Sequence, residues 1–574
     1  MRKNRYQTPR ISPERKSHRH RTWILVVCTF AAIILLGAQS FHLQITQGRE
    51  YALQLERIRL GREIEPSIRG KIVDRQGFVL ASTTVRRLIN ITETFKGVSG
   101  QNRQKLIEEV AWLCGVSVLI VQEALMTWED LPMRPDVIVT NPDIVVTLSF
   151  RRNYSFEGSM SHIVGYVNRD SQGVTGIEGY YDQELRGTPG EKIKEMDSTT
   201  RVVQYKLVHP PTHGNDIHLS IDAQLQEWID KRLISLDKPA VVILSNPQTG
   251  EIRSMNSVPF FSSDEMSNRL TTQRWQELQK DDSFPFINRA IQSVYNPGSL
   301  IKPFIALSAL QSSESDVQNL VTERILCRGH FDLALDTGGT TRYRDWLESG
   351  HGITTLFSAI VESCNVFFYQ LGIRLGIAML KEVADMILLD AQSGIDLPSE
   401  TRGVFPSGPW KESQIGERWY TGDTVLTSIG EGFIRLTPLN LLKLFELIGN
   451  EGWTNPARLT ERFDHRPTMY IDMPKGYWTY LKYALNAVIN QRSGTAYNVF
   501  RGADYAHQLA GKTGTAETGT PGIYHSWFAG FYPLDNPHLA IIVLVESGGY
   551  GSTTAAPLAR QILDYWWMHH DESD

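Results

Sequence analysis

The sequence predicts an α+β, multidomain chain: an N-terminal transmembrane helix, an extended mixed α/β pedestal, and a C-terminal domain built on an antiparallel sheet covered by helices. Three observations predict it. One long stretch near the N-terminus carries no charged residue. Short strand-like runs broken by Gly-bearing turns follow it. In the second half, helical stretches alternate with hairpin strands, ending in three strongly apolar ones.

Size and charge set the outer bounds. With 574 residues the chain is too long for one ordinary domain. It is 41% hydrophobic, 10% aromatic and 21% charged, as folded proteins are, with no low-complexity tract. A net charge of −5 is small for this size and gives no basic footprint for a nucleic-acid partner. Four cysteines, at 28, 114, 327 and 364, are too few for a disulfide-built scaffold.

The anchor comes first. Residues 1–22 hold eight Lys or Arg against one acid, Glu14, and read as a basic tail. Then "TWILVVCTFAAIILLGAQSFHLQITQG", Thr22 to Gly48, contains no Lys, Arg, Asp or Glu. About 20 apolar residues cross the hydrocarbon core of a bilayer. Trp23 and His42 suit the two interfaces, so 23–43 is the predicted single span. The positive flank keeps the tail in the cytoplasm and puts the bulk of the chain outside. A cleaved signal peptide is the rival reading. Its apolar core is usually shorter, and "GAQS" is a weak cleavage site.

Residues 44–62 read as a helix continuing out of the membrane. "KIVDRQGFVLAST" and "RLINITETF" read as strands, and 102–114 as a helix. At "THGNDIHLSIDAQLQEWIDKRL" a strand-like alternation runs into an amphipathic helix with Asp222 as its N-cap. This change separates a non-catalytic pedestal, 44–220, from a second domain, 221–574. "AVVILSNPQTGEIRSMNSV" gives two strands joined by a Pro-x-Thr-Gly turn. Helical stretches follow at 300–311, 354–373, 376–387, 437–450, 475–490 and 556–567. The last clear strands are "AHQLAGKTGTA", "YHSWFAGFYP" and "LAIIVLVES".

Three short patterns carry chemistry. In "YNPGSLIKPFIALSAL", Ser299 and Lys302 stand three apart and share a helix face. A serine hydroxyl is a weak nucleophile until a neighbour takes its proton. A lysine whose pKa is lowered by burial and a nearby cation is such a neighbour. Read plainly, Ser299 caps the helix and Lys302 snorkels to water. In "AIVESCNVFFYQLG", Ser363 and Asn365 interrupt an apolar segment: either a turn, or a proton-relaying hydroxyl beside an amide that holds a substrate amide. In "LAGKTGTAET", Gly514 lets another backbone come close, while Lys512, Thr513 and Thr515 suit a carboxylate. A strand edge there also pairs with an extended peptide, unless it is an ordinary hairpin. Each pattern is weak alone. In this order, S-x-x-K, S-x-N and K-T-G form the motif set of penicillin-binding proteins and class A β-lactamases.

With those residues the chain resembles the class B, monofunctional penicillin-binding proteins. "IRGKIVDRQGFVLA" is similar to the family's signature after the membrane helix, and "HIVGYV" and "GIEGYYDQELRGTPG" to its pedestal. "NRAIQSVYNPGSLIKPF" and "SWFAGFYP" resemble its catalytic domain, and the likeness covers nearly everything after the basic tail. No glycosyltransferase module fits between anchor and pedestal, which argues against class A. "YRDWLESGHGITTLFSAIVESCNVFFYQLG" resembles the elongation type more than the division type. Glu431, where the family usually has Gln, is a departure. The resemblance implies a serine β-lactamase-like fold and peptidoglycan D,D-transpeptidation in a bacterial inner membrane. Stem peptides would be the substrates, β-lactams would acylate the site, and a SEDS-type (RodA-like) glycosyltransferase would be the partner. It further implies Ser299 as nucleophile, Lys302 as base, Ser363 as relay, Asn365 as amide holder, and Lys512, Thr513, Gly514 and Thr515 as the carboxylate wall. A non-catalytic β-lactam sensor, or a hydrolase, is the competing function.

Catalysis of this kind needs no cofactor, but Cys327, Asp345, His351 and Cys364 make a plausible zinc set. Similar Asp, His and Cys positions bind zinc in some elongation-type relatives. A Cys327–Cys364 disulfide, or plain core cysteines with His351 in a turn, are the other readings.

Overall fold

The computed structural model describes residues 16–47, 60–156, 158–196, 202–268, 270–313, 319, 322–334, 338–460 and 469–569. Most of the predicted basic tail, and most of the helix predicted at 44–62, lie outside the described residues. The chain divides into two compact units, Met1–Ser67 with Thr188–His213, and Ile68–Gly187 with Gly214–Asp574.

In the first unit a helix spans Lys16–Phe41 and ends in a π-type turn, His42–Thr46. Its segment Trp23–Ile45 has a mean hydropathy of 2.3 over its most apolar window, none of which is buried among the described residues. An uncovered apolar helix of this length fits a single-pass membrane anchor. The unit also holds a three-stranded antiparallel sheet, with Gly190–Met196 between Leu60–Glu65 and Val202–His209. Residues 60–62, expected as helix, are therefore strand: Leu60, Gly61 and Arg62 pair with Glu195, Lys194 and Ile193.

In the second unit, Val79–Ile89 pairs along most of its length with Val146–Tyr154. "RLINITETF" turns out to be divided. The strand stops at Ile89, and Asn90 caps a single helical turn, Ile91–Thr94, by accepting the Glu93 N–H. The family signature has a structural task. Arg69 Nε meets Glu178 Oε2 at 2.5 Å, Arg69 Nη1 meets Asp182 at 2.7 Å, and Arg152 Nε meets Glu178 Oε1 at 2.7 Å. Glu178 is completely buried, so one carboxylate compensates two buried guanidiniums. Asp74 accepts the N–H groups of Gln76, Phe78 and Ala223, tying the signature loop to the start of the helix that Asp222 caps, as expected.

The catalytic half is a five-stranded antiparallel sheet. Its strands are β1 (Ala240–Asn246), β2 (Glu251–Val258), β3 (Ala510–Glu517), β4 (Tyr524–Tyr532) and β5 (Leu539–Val545), in the order β2-β1-β5-β4-β3. Every residue of β1 and β5 is buried, which is why β5 reads as an unbroken apolar run and β1 does so as far as Leu244. Helices Pro438–Gly449 and Ala555–His569 pack on β4 and β5, and Lys475–Asn490 packs on β3. Two more helices carry site residues, α1 (Lys302–Gln311) and α2 (Asn365–Met386). The helix expected over 354–373 is broken: Leu356–Val361 ends, the chain turns through Ser363 at φ 59°, and α2 begins. α2 is interrupted at Gly376, whose φ of 68° and ψ of 154° are not helical, so two helical stretches meet close to the gap expected after 373.

Replacing Glu178 by Ala strands two buried guanidiniums. It should cost about 3–5 kcal/mol, measured as an earlier urea-unfolding transition, whereas Asp182→Ala, at the partly exposed end of the network, should cost less.

Candidate active site

Ser299 lies in a 3-10 turn, Gly298–Ile301, that leads into α1. Backbone contact fixes where this turn sits. Gly298 has φ +52°, and a Cβ there would stand 2.4 Å from the Thr515 carbonyl oxygen. A Cβ on Gly514 would stand 3.0 Å from Leu300 Cγ and 3.1 Å from Trp527 Cβ. Two glycines thus let the serine turn lie directly against β3. β3 is the outermost strand of its sheet, so one side of its backbone is not used by a neighbouring strand.

Lys302 has no exposed surface. Its Nζ donates to the Ser363 carbonyl at 2.7 Å, to Ser363 Oγ at 3.1 Å and to Asn365 Oδ1 at 2.6 Å. An ammonium has three donors, and all three are used. Burial lowers its pKa to about 8, against the opposing pull of the Asp345 and Cys364 charges. Lys512 is also fully buried, with Nζ 3.0 Å from the Thr513 carbonyl. Burial first, and then the charge of Lys302, hold Lys512 well below the ordinary lysine range. Ser299 Oγ makes no hydrogen bond among the described residues, a looseness usual in a site without substrate.

The middle motif is held from behind. Its positive φ, uncommon for serine, turns the Ser363 carbonyl toward both Lys302 Nζ and Trp346 Nε1, the latter at 3.2 Å. Asp345 Oδ2 accepts the N–H groups of Asn365 at 2.9 Å and Val366 at 3.1 Å. A carboxylate on the first turn of α2 satisfies orphan donors and complements the helix dipole. It also fixes Asn365 at the residue that meets Lys302.

On β3, Thr513 Oγ1 lies 2.6 Å from Thr495 Oγ1, and Thr515 Oγ1 accepts the Gly551 N–H at 3.1 Å. Glu431 accepts the N–H of Glu517, the last residue of β3, at 3.0 Å. Burial raises its pKa to about 8; the Glu517 charge adds to this, while the Glu517 N–H and Arg435 oppose it. At neutral pH Glu431 is therefore largely an uncharged acid, close in shape and donor pattern to the family's usual amide.

The structure brings the expected metal residues together. Cys327 Sγ lies 3.6 Å from Asp345 Oδ2 and 3.6 Å from His351 Nδ1; Cys364 Sγ lies 3.4 Å from Asp345 Oδ2. One ligand atom from each residue falls within 4.8 Å of the others. Both cysteines are free thiols, not a disulfide, and burial and the Asp345 charge raise the Cys364 thiol. The sequence reading did not foresee Asp345 as the cap of α2, nor Trp346 and Thr495. Asp345 and Asn365 are 20 residues apart, and no local pattern joins them.

The family description "Penicillin binding protein transpeptidase domain" matches residues 240–564, and "Penicillin-binding Protein dimerisation domain" matches 136–219. The peptidoglycan D,D-transpeptidase MrdA of Haemophilus influenzae is 29% identical over 98% of this chain and 94% of its own. The crystal structure of Pseudomonas aeruginosa PBP2 in complex with WCK 5153 superposes with a TM-score of 0.68 at 27% identity, over 89% of this chain and 98% of that one. PBP2 of Helicobacter pylori, solved in complex with MreC, shares the fold with a TM-score of 0.74 at 24% identity, over 89% and 99%. The chain belongs to the class B, elongation-type penicillin-binding proteins, the peptidoglycan D,D-transpeptidases that β-lactams target.

Proposed function

We propose that Ser299 is the acylated nucleophile and Lys302 its general base. The observation that carries this is the fully buried Lys302, one turn from Ser299, with three acceptors around its Nζ. When it loses one proton, the amine keeps two donors, for the Ser363 carbonyl and Asn365 Oδ1. Its lone pair is then free for a hydroxyl. Ser299 Oγ attacks the carbonyl of the penultimate D-Ala of a stem peptide while its proton passes to Lys302. The N–H groups of Ser299 and Thr515 hold the oxyanion. The proton moves through Ser363 Oγ to the departing D-Ala nitrogen, the C–N bond breaks, and an ester remains on Ser299. The amine of a second stem peptide then attacks that ester, forming the cross-link and returning the proton to Ser299. Asn365 orients the donor amide. Lys512, Thr513 and Thr515 receive the terminal carboxylate, with Gly514 keeping the strand close. A β-lactam enters by the same attack.

Cys327, Asp345, His351 and Cys364 are proposed to hold a structural zinc. Two thiols, an imidazole and a carboxylate suit that ion, and their clustering supports it. When bound, it would cross-link the strand at Cys327 to the start of α2.

Residues 44–220 are proposed as the non-catalytic pedestal and 221–574 as the transpeptidase domain. The basic tail would lie in the cytoplasm, the anchor in the inner membrane and the bulk in the periplasm. A SEDS-type (RodA-like) glycosyltransferase is the proposed membrane partner, with contacts within 44–220. The Helicobacter pylori relative, solved in complex with MreC, supports an MreC-like protein as a further partner.

Fluorescent penicillin should label wild type and not Ser299→Ala; label on the variant would refute the nucleophile. Acylation should accelerate as pH rises, with a midpoint near 8. At pH 7 roughly one lysine in ten would be neutral. Lys302→Ala should lose about 10²–10⁴ in acylation rate. Elemental analysis should find one zinc per chain, and chelation should expose two titratable thiols; no metal with thiols reactive from the start would end the zinc assignment. Folding raises the Glu431 pKa from 4.5 to about 8, so its stabilising contribution is complete below the lower value and lost as pH climbs through the upper. Glu431→Gln should therefore melt above wild type at pH 9 and close to it at pH 5.

A further inference from the structure

A cavity of about 460 Å³ opens in the second unit, away from the acylation centre's own residues, between the turn Ser161–Val164 and the segment running from Trp275 to Gln292. This is the size of a small-ligand site. Its walls are a connected set of rings. Phe261 lies 5.8 Å from Tyr166 and 5.3 Å from Phe286 between centroids, and Phe286 lies 5.6 Å from Trp275.

The polar groups among the rings narrow the ligand class. Ser161 and Asn288 line the cavity and are 2% and 4% exposed. Ser161 Oγ and Asn288 Nδ2 have no hydrogen-bond partner among the described residues, and neither has Thr175 Oγ1 on the same wall. Unpaired buried donors and acceptors are costly unless something supplies the missing bonds. His162, also lining, contacts the Pro259 carbonyl through Nε2 at 3.4 Å, and burial drops its pKa to about 4, so it is neutral. No Lys or Arg lines the cavity, which disfavours an anion, and its one carboxylate, Asp281, is exposed and disfavours a buried cation. A lipid chain would leave the polar atoms unpaired. A neutral ligand with apolar ring faces and a girdle of hydroxyl and amide groups meets all these conditions, and an N-acetylated sugar is such a ligand.

Chain connectivity bounds the distance from the cavity to the serine: Gln292 lies on the cavity wall and only seven residues before Ser299, which caps their separation at about 25 Å.

We propose that this cavity is a saccharide subsite that seats an N-acetylhexosamine unit of the glycan strand whose stem peptide is presented to Ser299. This rests on peptidoglycan being the substrate. The test uses the full chain in lipid nanodiscs, with Ser299 blocked by penicillin, titrated with a tetramer of N-acetylglucosamine and followed by calorimetry. Saturable binding is expected, weakened at least tenfold by Trp275→Ala and less by Trp275→Phe, with penicillin labelling of Ser299 unchanged in both. No saturable binding, or binding indifferent to Trp275→Ala, overturns the subsite. So does displacement of the sugar by dodecanoate, which would mark the cavity as a lipid site. Failure of wild type to label with penicillin would instead overturn the transpeptidase assignment, whatever the sugar does. Should Trp275→Ala fail to label or fold, Gln279→Ala and Ser161→Ala replace it, with the same tenfold criterion for their combination.

Discussion

A lysine ammonium can be buried completely only where other groups replace its water. At Lys302 three oxygens do so, and the rest of the site is arranged to deliver them. Two come from Ser363, whose backbone turns back on itself, and one from Asn365, the first residue of α2. Asp345 holds that first turn through two backbone N–H groups. The chain from Asp345 to α2 to Asn365 to Lys302 makes the buried amine dependent on a carboxylate with which it shares no hydrogen bond. The same carboxylate sits among two thiols and an imidazole, so whatever fills that cluster acts on the amine through one helix turn.

Lys512 sharpens the constraint. Two fully buried lysines share one site, and the charge of Lys302 disfavours charge on Lys512. Such a site accommodates one cation readily and two badly. In the proposed reaction an incoming carboxylate would favour charge on Lys512 and leave Lys302 as the amine that gives its proton up, linking ligand recognition to base activation by electrostatics.

Much of this was legible in the sequence, and unevenly so. The anchor, the cap at Asp222, the hairpin β1–β2 and strands β3 to β5 follow from local pattern: charge, capping residues and apolar runs long enough to be buried on both faces. The three catalytic motifs were legible because their order is a signal that no single one carries. The helix expected over 354–373 failed where tertiary structure overrides pattern. Ser363 leaves the helical conformation because its carbonyl and hydroxyl are needed at Lys302, and nothing within ten residues of it says so. The single helical turn at Ile91–Thr94 failed as a strand because Asn90 offers a cap that apolar counting ignores. Asp345 was read as a metal ligand. Its part in capping α2 depends on a contact across 20 residues, visible only when the chain is folded.

The closeness of the Ser299 turn to β3 has a consequence for how this protein can change over generations. The position of the Ser299 turn is set by two places where a side chain is missing, Gly298 and Gly514, and at Gly298 the obstacle is the backbone oxygen of Thr515. At Gly298 even one added carbon must displace backbone that the sheet holds in place, whereas at Gly514 it must push the Leu300 and Trp527 side chains aside. At the rim Glu431 meets the end of β3 through its side chain, so an exchange there moves a hydrogen bond, whereas at the centre an added carbon on Gly298 moves the backbone itself.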